Sequence, residues 1–447
     1  MTTSAETAPL PAPVPAEETT AGNYFVSNYP PFSFWQSDKV NDAFAALDRK
    51  PAPGTPLGVY VHIPFCRKRC HFCYFRVYTD KDSTQIKAYL DGVVKELELY
   101  AQRSFVDGRP ANFVYFGGGT PSYISSDQLV WLTDRMKKLI PWDGAEEVTF
   151  ECEPGTLTEH KLKVIKDIGV TRLSLGVEHF DDHILEINGR AHLSKEIARA
   201  YDFARKLDFA QINIDLIAGM VEETEEKWKD AVAKAVAMEP DSVTIYQMEV
   251  PYNTTIYKEM KASGKLVAPV ATWATKRGWV NYAFSEFEKR GYTVASAYTA
   301  VKNKAKTKFV YRDKLWAGAD LIGLGVASFS HVGGTHFQNL DGFVPYLETV
   351  NSGKLPVNRA LTPTGQERLI REFILQMKLG SLSLDYFRRK FNADPVAEFA
   401  KPIQTLKDWG FLTIDGDRVK LSRDGLLQVD RLLHEFFLPQ HRNARYT

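Results

Sequence analysis

The chain has 447 residues, 44% apolar and 25% charged, which is the balance of a soluble globular protein with room for two or three domains. Lys and Arg total 56 against 55 Asp and Glu, so no net field recruits nucleic acid or an anionic membrane. No apolar run reaches the ~18 residues of a membrane span, and the first residues lack the basic and apolar stretches of a signal peptide. A cytoplasmic protein without membrane insertion is expected.

Residues 1–22 are rich in Ala, Pro, Thr and Glu and carry no Lys, Arg or aromatic, which predicts a disordered tail. Residues 23–57 open with an aromatic run from Asn23 to Trp35, too apolar to be idle. It either covers an open site as a lid or packs on the outside of the fold. Six strands are expected at Val59–Pro64, Asn112–Gly117, Glu147–Pro154, Arg172–Phe180, Gln211–Gly219 and Ser242–Val250. Most are near-continuous apolar runs, as in parallel strands covered on both faces. Helical periodicity fills the gaps, with Ile86, Leu90, Val93, Val94 and Leu97 on one stripe. Ser126 is a plausible N-cap for the next helix. Further helices fit Thr158–Ile168, Ser194–Leu207 and Thr224–Met238.

Such alternation argues an α/β fold with a parallel sheet. Polar groups gather at the carboxyl ends of successive strands, where a barrel mouth needs them: Glu151 and Glu153, Glu178, Asp215, then Gln247 and Glu249 on strand six. The expectation is a partial (β/α)6 barrel over residues 58–262, with residues 263–358 extending it on the substrate side. Residues 359–447 read as a helical, winged-helix-like domain. Its helices are expected at Gln366–Leu379, Leu384–Phe391 and Val396–Trp409. A hairpin over Phe411–Leu421 would turn at Asp415-Gly416, and a last helix would start at Asp424. Acidic residues interleave with basic ones there, which argues against DNA binding.

Three of the four cysteines, Cys66, Cys70 and Cys73, lie within eight positions, a spacing that points to metal or catalysis. Three thiolates on one loop can hold three irons of a 4Fe–4S cluster and leave the fourth iron open for a chelating amine and carboxylate. The rival is a zinc held by the same cysteines with His62 or His71. Zinc sites usually pair cysteines in two knuckles, however, and no second pair exists. Cys152, alone, reads as a buried strand thiol. Arg67, Lys68 and Arg69 inside the loop would either stabilise thiolates and dock an acidic electron donor, or form a solvated face. The row Lys302, Lys304, Lys306 and Lys308 would either grip substrate carboxylates or be an exposed loop.

Tyr60-Val61-His62-Ile63-Pro64-Phe65-Cys66, Gly117-Gly118-Gly119-Thr120-Pro121, Arg172-Leu173-Ser174-Leu175-Gly176-Val177, Asn213-Ile214-Asp215-Leu216-Ile217 and Gly323-Leu324-Gly325-Val326 occur in that order. Through them the chain resembles the radical S-adenosylmethionine (SAM) superfamily, and within it the oxygen-independent coproporphyrinogen III dehydrogenase family. The resemblance implies reductive cleavage of SAM to a 5′-deoxyadenosyl radical, and oxidative decarboxylation of a tetrapyrrole-like substrate. An electron donor such as flavodoxin or ferredoxin would serve it. It places cluster-bound SAM at Tyr60, Gly118 and Glu151, with Tyr60 and Glu151 as catalytic positions. A second SAM would sit at Phe72, Gly119, Thr120, Glu178, Arg190 and Asp215, and Glu249 and Phe329 join the cofactor-binding set.

The chain departs from the dehydrogenases in four places. Phe75 stands where they carry a further cysteine, and Glu178 where they carry glutamine. Phe309-Val310-Tyr311-Arg312-Asp313 replaces their substrate-side stretch. Phe75 and Tyr246-Gln247-Met248 look more like the related haem chaperones, whose Tyr-Glu-Ile-Ser-Asn stretch is nevertheless absent. A radical SAM methyltransferase is the third possibility.

Overall fold

The computed structural model describes residues 18–442 and 444. Six parallel strands come first: β1 (Leu57–Ile63), β2 (Phe113–Gly118), β3 (Glu147–Cys152), β4 (Arg172–Glu178), β5 (Gln211–Ala218) and β6 (Ser242–Gln247). They lie side by side in chain order, each separated by at least one helix. Every strand alternates. Leu173, Leu175 and Val177 of β4 are buried in the main apolar core beneath the helices, as are Val148 and Phe150 of β3 and Ile212, Ile214 and Leu216 of β5. The residues between them, Glu147, Thr149, Glu151, Arg172, Ser174, Asn213 and Asp215, therefore face the opposite, concave side.

The sheet does not close. On the β6 side it continues antiparallel into β8 (Thr299–Val301) and β7 (Thr293–Val294). On the β1 side it gains one more parallel strand, β9 (Asp320–Leu324). The antiparallel strands β10 (Phe329–Val332), β11 (Thr335–Asn339) and β12 (Val357–Leu361) follow. The six expected units are thus the centre of a 12-stranded open sheet. The strands added from residues 293–361 were not visible as patterns, because they are two to five residues long and mixed in composition.

Capping chemistry sets the helix starts. Asp82 with Gln85, Ser125 with Gln128, and Thr364 with Glu367 form reciprocal capping boxes. The cap before Leu129 is therefore Ser125, and the expected cap Ser126 is the first helical residue. The expected helix Val396–Trp409 is two helices, Pro395–Glu398 and Ala400–Asp408. Pro402 lacks an N–H and its ring would meet the carbonyl of Glu398, so the chain breaks at Phe399. In the carboxyl-terminal hairpin, Asp415 pairs with Arg418, so the two-residue turn is Gly416-Asp417 rather than Asp415-Gly416. A short strand, Ser381–Ser383, completes a three-stranded sheet there.

The expected tail needs correction over its described part. Thr19 is fully buried, its hydroxyl accepting from Lys276 Nζ at 2.8 Å, and Gly22 N–H donates to the Val250 carbonyl at 3.0 Å. Residues 1–17 lie outside the described residues. From there the aromatic segment runs as a strap. Tyr24 N–H donates to Glu249 Oε2 at 3.2 Å, and Val26 and Tyr29 are buried in the carboxyl-terminal core. Phe32 stacks on Phe329 with centroids 4.4 Å apart, and Trp35 stacks on His336 at 5.3 Å. The strap thus joins the β6 flank to the β10–β11 flank. Among the described residues, no helix is long and apolar enough to cross a membrane.

Candidate active site

The cysteine loop leaves the end of β1 and is braced from several sides. Cys66 N–H donates to Tyr78 O at 3.0 Å, and His71 N–H to Asn188 O at 3.0 Å. Arg67 Nη2 donates to Glu153 Oε2 at 2.9 Å and to Ala191 O at 2.8 Å. Arg69 Nη2 donates to Cys73 O at 3.0 Å and Asn253 O at 3.1 Å. Two of the three loop cations are therefore staples that hold the loop to its neighbours, while Lys68 is exposed.

Donors are aimed at the sulfurs. Thr120 Oγ1 lies 3.3 Å from Cys66 Sγ, and Arg190 Nη1 lies 3.2 Å from Cys70 Sγ. Burial pushes the Cys66 thiol up to about 11 and the Cys73 thiol up to about 12. Such thiols lose their protons to a bound metal rather than to water. A single zinc would need its donors to converge, and among the described residues no three His, Cys, Asp or Glu side chains do so. The thiol set with its hydrogen-bond donors fits an iron–sulfur cluster. Cys152 is 4% exposed at the end of β3, the buried strand thiol expected.

The glycines at the end of β2 are required by crowding. Gly118 sits at φ 113°, and a Cβ there would come within 2.6 Å of the His62 ring. A Cβ on Gly119 would come within 3.0 Å of Cys66 Sγ. Only glycine lets this turn approach the cysteine loop.

Behind the loop stand three acids on the concave face. Glu151 accepts from Tyr115 OH at 2.5 Å and from Gly118 N–H at 3.2 Å. Asp215 accepts from Ser174 Oγ at 2.9 Å and Asn213 Nδ2 at 3.0 Å. Glu178, held at φ 65°, lies 3.6 Å from Arg190 Nη2. Burial pushes Glu151 and Glu178 up to about 7 and raises Asp215, and the Asp215 charge adds to the rise of both glutamates. Crowded, desolvated carboxyls of this kind welcome a cation. The sulfonium and ammonium of SAM supply two positive charges, so the acid cluster fits that cofactor. Tyr60 lies beside it, its hydroxyl 3.1 Å from His62 Nδ1 and its ring 5.9 Å from that of Tyr115.

Other expected positions fall further out. Phe72 packs on an apolar cluster with Met220 and Met248. Glu249 lies two residues past the end of β6 rather than on it, bonded to the strap at Tyr24, and burial pushes it up to about 8. Phe329 is on β10 under the strap, against Phe32 and Trp35 rather than among the acids. The lysine row is an exposed loop, with Lys302 paired to Glu239 at 2.7 Å.

Sequence reading missed Tyr115, as well as the roles of Arg172 and of the Phe309–Tyr311 segment. The last runs into a helix, Val310–Trp316, that plugs the floor of the concavity. Glu147 caps it through the N–H groups of Val310 and Tyr311, at 3.0 and 3.2 Å. Alternation along β2 to β4 was the available signal, since Tyr115, Glu147 and Arg172 share a face with Gly117, Glu151 and Ser174.

Family models match in two places: the Radical SAM superfamily over residues 60–235, and the HemN C-terminal domain over residues 364–427. The chain thus carries a Radical SAM domain followed by a HemN C-terminal domain. It is a radical SAM enzyme, working with a 4Fe–4S cluster and SAM. The heme chaperone HemW of Bacillus subtilis is 26% identical over 391 residues, 84% of this chain and 98% of that protein. The oxygen-independent coproporphyrinogen III oxidase of Helicobacter pylori is 26% identical over 419 residues, 90% of each. The solved structure of coproporphyrinogen III oxidase (HemN) from Escherichia coli has the same fold, with a TM-score of 0.78 at 21% identity. The match covers 94% of this chain and 99% of that one.

Proposed function

We propose that this radical SAM enzyme carries out the oxygen-independent oxidative decarboxylation of coproporphyrinogen III. The carrying observation is the acid cluster of Glu151, Glu178 and Asp215 beside the three-cysteine loop, bridged to it by Arg190. Such a site suits cationic cofactors next to a cluster. Cys66, Cys70 and Cys73 would hold the cluster, and Tyr60, Gly118 and Glu151 one SAM. Phe72, Gly119, Thr120, Glu178, Arg190 and Asp215 would hold a second. Bound there, cluster and SAM supply a 5′-deoxyadenosyl radical able to take a hydrogen atom from a substrate carbon. The protein's own part is to orient SAM through the Glu151 carboxylate, tie Arg190 to Cys70 and Gly176 O, and keep water from the site with the strap.

Three features support a large, flexible substrate: the open sheet, the strap across it, and the exposed rings of Tyr74, Phe75 and Tyr246, each about two-fifths accessible. A flavodoxin- or ferredoxin-like donor suits the cleft of about 390 Å³ beside the loop, lined by Arg67, Lys68, Arg190 and His192 among others.

The similarity to HemW, together with the exposed Tyr74–Phe75 pair stacked at 4.5 Å near the cluster loop, favours haem binding as a second reading. One anaerobic experiment separates them. Incubation with coproporphyrinogen III, SAM and reductant should give protoporphyrinogen, carbon dioxide and 5′-deoxyadenosine. Tight haem binding without carbon dioxide would establish the chaperone instead, and a methylated product with S-adenosylhomocysteine a methyltransferase.

A further inference from the structure

The strand register places Tyr60, Tyr115, Thr149, Arg172 and Gln211 in one row across β1 to β5. The Glu151–Ser174–Asn213 row lies next to it, toward the mouth. Arg172 is only 2% exposed, and neither Nε nor Nη1 has a hydrogen-bond partner. Its guanidinium carbon lies over the Phe309 ring, 4.1 Å from the centroid. Its charge helps hold down the carboxyls of Glu151 and Asp215, yet those acids take their hydrogen bonds from Tyr115, Gly118, Ser174 and Asn213. A buried arginine with an unused planar fork is costly unless a ligand completes it. The geometry of that fork matches a carboxylate bidentately, and the Phe309 ring beneath pre-orients it.

We propose that Arg172 anchors a carboxylate of the substrate at the floor of the concavity, inward of the SAM-binding acids. The inference rests on the tetrapyrrole reading, which supplies a substrate bearing propionates. Anchoring one propionate below the cofactor would hold the large ring system in one orientation.

The test uses anaerobic, cluster-loaded protein and two stable probes, coproporphyrin III and its tetramethyl ester, followed by absorbance titration. The free acid should bind the wild type at least tenfold more tightly than the ester. Arg172→Gln should erase that preference, and Arg172→Lys, which keeps the charge but loses the fork, should retain part of it. SAM affinity, measured on the same samples, should change far less than the acid-to-ester ratio. A variant that discriminates as well as the wild type overturns the anchor alone. So does a loss of preference that only tracks a loss of SAM affinity, since Arg172 would then act through Glu151 and Asp215. Wild type that binds neither probe overturns the tetrapyrrole reading and the anchor with it. If Arg172→Gln fails to fold, Phe309→Leu provides the measurement, because loss of the supporting ring should narrow the same ratio.

Discussion

At Glu151 two opposing influences meet. Burial drives its carboxyl toward the neutral form, up to about 7, while the Tyr115 hydroxyl and the Gly118 N–H favour the carboxylate. A carboxylate is what an amine needs, so SAM affinity should fall as pH drops below about 7. Tyr115→Phe removes the shorter of the two hydrogen bonds without disturbing the ring contacts to Tyr60 and Tyr311. The midpoint of SAM binding should then move up by about one pH unit, which corresponds to about fivefold weaker binding at neutrality and about tenfold below pH 6. Equilibrium titration of SAM between pH 6 and 9 reads this directly. An unchanged midpoint would remove Glu151 from the amine-binding role.

At the scale of elements, the joint between the helix Ser83–Ala101 and the strands beyond β1 depends on Glu96. This fully buried acid accepts from Gly325 N–H at 2.8 Å, Tyr346 OH at 2.7 Å and Asn339 Nδ2 at 2.6 Å. It ties the helix to the end of β9, to β11 and to the helix Phe343–Asn351 at once. Burial still wins, pushing its carboxyl up to about 7. A raised folded-state value means the stabilisation is fully present below about 4.5 and is lost as pH rises through about 7. The total is on the order of 3 kcal/mol. Glu96→Gln should flatten that part of the pH dependence of unfolding, while costing about 1–3 kcal/mol at low pH because one donor loses its acceptor. Denaturant melts at pH 5 and 8 on both proteins give the difference, in which the other raised acids cancel. Equal slopes would show that Glu96 does not titrate in this window. This joint was illegible in the sequence, since Glu96 sits among charged neighbours on a helix and its partners lie over 200 residues away. The six core strands were legible to within a few residues because their apolar runs and intervening helices follow local periodicity. The cysteine loop was legible because its spacing is its chemistry. The antiparallel extensions were not, since strands of two to five mixed residues gain their identity from the neighbours they pair with.

Across the whole molecule, the strap of residues 18–35 runs from the β6 flank past the carboxyl-terminal domain to the β10–β11 flank. Asp430 of the carboxyl-terminal domain is its clasp, accepting from Val26 N–H at 2.8 Å, from Tyr298 OH, and from Lys378 Nζ at 2.7 Å. Lys378 is fully buried, donates to the Val26 carbonyl at 2.6 Å and lies 3.8 Å from the Phe25 ring centroid. Asp430→Asn keeps the shape but strands that buried ammonium, a loss of about 3–5 kcal/mol when a buried pair is broken on one side. The cost should fall first on the strap, which has few helical or sheet bonds of its own. Hydrogen exchange should therefore lose protection over residues 18–35, while β1 to β6 keep theirs. In turnover with coproporphyrinogen III, the variant should release more 5′-deoxyadenosine per protoporphyrinogen formed, because a loosened cover admits water and stray hydrogen donors. Protection lost evenly across the sheet would mean that Asp430 supports the fold as a whole. A lost strap with an unchanged ratio would mean that the segment does not shield the reaction.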